Sequence, residues 1–325
     1  MQEVKNVLAN RFGNDIALGK NITEIVPIKE LSMASAEKTL RLIFPDWQHG
    51  ANPGSGFVPR FLASIAPQGE HSETVEITPG DVSPERTQNE VVAARALTIL
   101  SPEDFKVCYN AAREVLDAKA PDRVIAFSTD GAACVAPIDY LNEKYEGFGV
   151  LWLDVHREPV TPERFWRKRA ALFSTFTGDA AQIPGLMKTS IPPSRFFFVS
   201  TRADEVPPAE DIQFHHLEIG LAKEEALDAG NTAVLDWIKA SGIKHLAIHI
   251  DLDSVGSADI RSGIYREEGL VDLSDPDLSS LKKVGALLKG VSAAVDVVGV
   301  GVLEYQMLDA PEFRGMISDL PIFKG

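Results

Sequence analysis

The sequence predicts an α/β fold built on a mostly parallel sheet covered on both faces. Two observations carry this. Eight short runs are rich in β-branched or apolar residues, and most stay apolar at every position, as strands buried on both faces do. Helical patterns lie between several of these runs, and strands alternating with helices form a parallel sheet with helices packed on it. A third observation points to the chemistry. In such sheets ligands bind beyond the carboxyl ends of the strands, and all four of the ends considered below carry carboxylates.

In chain order the strand segments are Leu40–Phe44, Thr74–Ile77, Arg123–Phe127, Val150–Leu153, Arg195–Ser200, Gln213–Leu217, His245–Ile250 and Val297–Leu303. Asn89–Leu100 and Pro102–Lys119 read as helices between the second and third strands. Ala136–Glu146 follows the third, Lys223–Ala240 precedes the seventh, and Leu278–Gly290 precedes the eighth. No Pro/Gly-rich linker divides two cores, so residues 33–325 are expected to form one domain. Residues 1–32 read as an N-terminal extension, because Met33 opens "MASAEKTLRLIFPDW", which reads as a natural start. That extension carries Lys5, Arg11, Lys20 and Lys29 without a continuous apolar stretch, so no secretory signal is expected.

Composition narrows the function. A net charge of −15 argues against nucleic-acid or anionic-membrane partners, which need basic patches. No apolar run is long enough to span a membrane. The only cysteines are Cys108 and Cys134, which suits a reducing compartment, and the cytoplasm is the expected location.

The ends of the third, fourth, seventh and eighth strands are Ser128–Gly131, Asp154–Glu158, Asp251–Asp253 and Glu304. In "GVLWLDVHREP", alternate side chains share a face, so Asp154, His156 and Glu158 project together if the strand continues. In "HIDLDSVG", Asp251 and Asp253 do the same. Carboxylates gathered at one sheet edge repel one another unless a cation compensates them. Oxygen ligands with one imidazole suit Mn²⁺, with Zn²⁺, Fe²⁺ or Ni²⁺ as alternatives.

These residues resemble the ureohydrolases, the family of arginase, agmatinase and formimidoylglutamase. The resemblance covers roughly residues 38–325 and includes the texture of "APIDYLNEKYEGFGVLWLDVH" and "DVVGVGVLEYQ". It implies a three-layer α-β-α fold with an eight-stranded sheet, assembly as trimers or hexamers, and Mn²⁺-dependent hydrolysis of a guanidinium or amidine carbon. It also implies that Asp154, His156, Asp251 and Asp253 are metal ligands, with Glu158 in place of the family's second aspartate of that motif. Glu304 matches the glutamate that faces the substrate's guanidinium end, which makes Asp154 and Glu304 the candidate catalytic residues.

Four further positions depart from the family pattern. "STDG" places Gly131 where the family has a histidine or cysteine ligand. Gly256 and Ser257 replace an aspartate and a proline that brace a loop. Arg169 stands at the proton-shuttle position, where an always-charged guanidinium cannot exchange a proton. The expected site is therefore reduced to a single metal ion held by Asp154, His156, Asp251 and Asp253. The competing expectation is a catalytically silent structural or regulatory subunit, assembled with itself or with an active homologue. Its carboxylates would be neutralised by Arg157, or by Arg167, Lys168 or Arg169 of the nearby basic run "RFWRKR". Cys134 reads as a small buried hydrophobe, and His249 as a hydrogen-bonded core histidine that can touch the site from below. His215 and His216 read as one buried and one exposed strand residue. Trp47 and His49 read as residues of a surface loop, which the resemblance places near the substrate entrance, and Thr201–Glu205 follows the fifth strand where family members carry an Arg-containing loop.

Overall fold

Alternation within each strand sorts its side chains into two layers, and the helices cover both. The computed structural model describes residues 37–45, 57–78, 102–129, 131–154, 168–178, 185–200, 212, 214–222, 232–252, 281–303 and 310–324. The strands are β1 (Thr39–Ile43), β2 (Ser72–Glu76), β3 (Arg123–Phe127), β4 (Phe148–Asp154), β5 (Phe196–Ser200), β6 (Gly220–Ala222), β7 (His245–Asp251) and β8 (Asp296–Leu303). They form one eight-stranded sheet in the order β2-β1-β3-β8-β7-β4-β5-β6. Every neighbouring pair is parallel. The central strands are buried nearly throughout, whereas the edge strands β2 and β6 are not. That difference explains why the central strands are apolar at consecutive positions.

The described helices are α1 (Phe57–Ile65), α2 (Pro102–Lys119), α3 (Val135–Lys144), α4 (Lys168–Thr177), α5 (Thr232–Ala240), α6 (Leu281–Ala294) and α7 (Ala310–Ile317). Leu40, Val124, Val150, Trp152 and Phe198 point to one face, against Leu116 of α2, Leu141 of α3 and Phe176 of α4. Ile125, Leu151, Ile248 and Val300 point to the other, against Leu62 of α1, Ile238 of α5, Leu287 of α6 and Phe313 of α7. The result is the expected three-layer α-β-α arrangement, and no described helix is long and apolar enough to cross a membrane.

One strand was expected in the wrong place. Gln213–Leu217 is not a strand, because residues 214–216 are helical and the sixth strand is Gly220–Ala222. The turn ends in a Schellman motif. The Ile219 N–H donates to Phe214 O at 3.1 Å, the Glu218 N–H donates to His215 O at 3.2 Å, and Glu218 adopts the left-handed φ of 56°. His215 and His216 therefore do not alternate across a sheet, and both are exposed. Gly220 then allows β6 to lie against β5, since a Cβ there would collide with the Phe197 ring.

The amino ends of β1 and β3 are clamped by Asp122. Its carboxylate accepts the Lys38 N–H at 3.0 Å and the Lys144 ammonium at 2.8 Å, which ties both strands to the end of α3. Burial alone would raise the Asp122 pKa, but these two hydrogen bonds together with the nearby Lys144 and Arg123 charges outweigh it and the net shift is downward. A depressed folded-state pKa contributes stability above the unfolded value, and that contribution is lost as pH falls through the folded value. Asp122→Asn is therefore expected to lower the urea midpoint slightly at pH 7. The two proteins should begin to converge below about pH 4, where an unfolded aspartate protonates. A constant offset across that range would show that the clamp is not electrostatic.

Candidate metal centre

The four strand ends singled out in the sequence are adjacent in the sheet, where β3, β8, β7 and β4 are consecutive. The chain runs from β3 at one side of this block to β4 at the other before returning through β7 and β8. That arrangement brings carboxylates from distant segments to one edge.

Register sets the details. His249 of β7 pairs with Trp152 of β4 on one side and with Gly301 of β8 on the other. Asp251 and Asp154 lie one step further along the same face, in line with Leu303 and Ser200. Both aspartates are the last residues of their strands. Asp154 is 2%, His249 2% and Asp251 4% exposed, and one ligand-type atom from each lies within 4.8 Å of the others. Two carboxylates and an imidazole this close and this buried form a donor set that fits a divalent cation. The cation would also offset the carboxylate repulsion.

Trp152 organises the group from beneath. Its indole stacks on the His249 ring with centroids 3.6 Å apart and planes 13° apart, and its Nε1–H donates to Asp154 Oδ2 at 3.3 Å. Stacking fixes the imidazole plane, and the hydrogen bond orients the carboxylate, as supporting groups around metal ligands do. Further out, the ring contacts Phe176 and Phe198, so the support is a packed aromatic layer.

Gly131 opens a short 3₁₀ turn, Gly131–Cys134, immediately above this layer. A Cβ at position 131 would lie 3.0 Å from Leu172 Cδ1, 3.3 Å from His249 Cε1 and 3.8 Å from His249 Nε2. The His249 ring and Leu172 therefore pack closely against the bare backbone at position 131. Cys134 is buried, and desolvation pushes its thiol up to about 12, so it stays protonated as a small apolar group. Its sulfur packs over Gly301, where a side chain would collide with it.

Of the residues expected at the site, the structure brings Asp154 and Asp251 together. His156, Glu158, Asp253 and Glu304 lie outside the described residues, as do Asp130, Arg157, Arg167, Gly256, Ser257, Trp47, His49 and the loop at 201–205. Lys168 and Arg169 open α4, but the structure describes only their backbone. The sequence expectation for His249 was a core histidine. It is a core residue, yet it also belongs to the carboxylate cluster. The available signal was its spacing of two from Asp251.

No family sequence profile matches the chain, and no curated protein matches it by sequence. Solved structures do. Arginase from Entamoeba histolytica superposes with a TM-score of 0.67 at 15% identity, over 87% of this chain and 97% of that one. Formimidoylglutamase from Bacillus subtilis gives 0.59 at 11% identity, over 88% and 84%. Proclavaminate amidino hydrolase from Streptomyces clavuligerus gives 0.58 at 16% identity, over 88% and 91%. Together with the parallel sheet and its two helical layers, these similarities identify the chain as having the ureohydrolase fold, the arginase-like α/β architecture.

Proposed function

We propose that the protein is a metal-dependent hydrolase that cleaves a C–N bond in a small guanidino or amidine compound. The observation that carries this is the buried Asp154–His249–Asp251 cluster at the carboxyl edge of the central strands. It occurs in a fold shared with an arginase solved with L-ornithine and with an amidino hydrolase. Mn²⁺ is the metal that this set of oxygen donors with one imidazole supports best.

Asp154, His156, Asp251 and Asp253 are the minimum set that would hold one ion. When bound, the ion supplies Lewis-acid chemistry by lowering the pKa of water toward neutrality. Trp152 holds the Asp154 carboxylate in place. Glu304 follows β8 and would bind the cationic end of the substrate, and Glu158 would orient water or help hold a second, weaker ion. Arg169 stays charged and cannot carry a proton to the leaving nitrogen. The proposed setting is the cytoplasm, with self-assembly into trimers or hexamers.

A second reading rests on Gly131, which provides no side chain at a position where the family pattern has a ligand. It makes the protein a silent structural or regulatory subunit, acting alone or beside an active homologue.

One experiment separates the two. Protein purified without chelators and supplied with Mn²⁺ is expected to hold at least one ion per chain by elemental mass spectrometry. It should also release amine or ammonia from at least one member of a guanidino and amidine panel. Absence of metal overturns the hydrolase and favours the silent subunit. Metal without hydrolysis of any panel member overturns the substrate class.

A further inference from the structure

We infer that His249 is a metal ligand that replaces, from a different strand, the side chain Gly131 lacks, so that the site holds a second ion with Asp154 and Asp251. The inference rests on the metal-binding part of the preceding reading. It goes further by naming a residue outside the expected ligand set and by changing the expected stoichiometry from one ion to two.

Three observations converge. One ligand-type atom from each of His249, Asp154 and Asp251 lies within 4.8 Å of the others, with all three residues buried. The His249 ring lies against position 131, with Cε1 3.3 Å and Nε2 3.8 Å from where a Cβ there would stand. Trp152 holds the ring flat at 3.6 Å while its Nε1–H holds the adjacent carboxylate, so one indole positions two donors. The glycine and the histidine are sterically linked. A Cβ at 131 would press on both Leu172 and the ring, which would have to give by a few tenths of an ångström, so the bare glycine favours the imidazole where it stands. The imidazole enters from β7, two residues before Asp251, instead of from the turn after β3. His156 and Asp253 are then left to serve the other ion.

The test is Mn²⁺ titration of the full chain, read by calorimetry and elemental analysis. The wild-type protein is expected to bind two Mn²⁺ per chain. His249→Phe keeps an aromatic ring on Trp152 but offers no nitrogen, and it is expected to lose one equivalent or weaken it at least tenfold. His156→Ala should retain the His249-dependent equivalent. A folded His249→Phe protein with unchanged stoichiometry and affinity overturns the inference. If the variant does not fold, the wild-type chain answers the question with ¹¹³Cd and ¹⁵N-labelled histidine. Cadmium coupling to two imidazoles supports the assignment, and coupling to one or none overturns it. Metal stoichiometry is independent of turnover. An inactive protein with the His249-dependent ion refutes only the proposed hydrolysis, and an active protein indifferent to His249→Phe refutes only this inference.

Discussion

Asp251→Asn is expected to abolish Mn²⁺ binding and hydrolysis together, and to raise the stability of the metal-free protein. Asp251 is 4% exposed, with a carboxylate oxygen within 4.8 Å of ligand atoms on Asp154 and His249. At about 5 Å and an effective dielectric near 20, two carboxylates repel by about 3 kcal/mol. Asparagine removes that repulsion with little change in volume. The same change removes a ligand shared by both proposed ions, so the holo protein loses what the apo protein gains. Thermal melts in EDTA and in Mn²⁺ read both signs. Wild type should gain strongly from Mn²⁺ through linkage, whereas the variant should start higher in EDTA and gain nothing. The contrary result is also informative. A variant that melts lower than wild type in EDTA would show that Asp251 is neutralised by a basic side chain, which is the expectation for a silent relic.

The fold was legible where burial dictates composition. β4, β7 and β8 are covered on both faces, and they stand out as apolar runs that end in or just before a carboxylate. The sixth strand was not legible, because its identity is tertiary. Gly220–Ala222 is three residues long and is a strand only because it pairs with β5. Phe214 and Leu217 nearby are three residues apart, a spacing that shares one face of a helical turn and falls on opposite faces of a strand. The same division holds at the site. Asp154 and Asp251 were found because each ends a buried strand. The role of His249 depended on the register that sets it beside Trp152 and on the absence of a side chain at Gly131 above it. Local pattern gives the face a residue occupies, but only pairing between strands gives its neighbours.

Gly131→His is expected to fail as a repair, although it restores the family's ligand type at that position. The new Cβ alone would stand 3.0 Å from Leu172 Cδ1 and 3.3 Å from His249 Cε1, tighter than most real contacts. A whole second imidazole adds five ring atoms beside a Cβ that is already crowded by Leu172 and the His249 ring. Overpacking of this kind costs about 1–3 kcal/mol. It would also push His249 off Trp152, so the variant should melt lower and bind less Mn²⁺ than wild type. His249→Ser alone should also lose metal, through loss of the imidazole. The double variant Gly131→His with His249→Ser should recover both stability and Mn²⁺ binding, because it returns to one imidazole in one space. Residues in contact commonly couple by about 0.5–3 kcal/mol, so the double variant should be more stable than the sum of the two single effects predicts. Strict additivity, or a double variant that binds no better than His249→Ser, would mean that the two positions do not exchange a common ligand. Recovery would show that an imidazole can move between backbone positions while the carboxylates that share its metal stay in place.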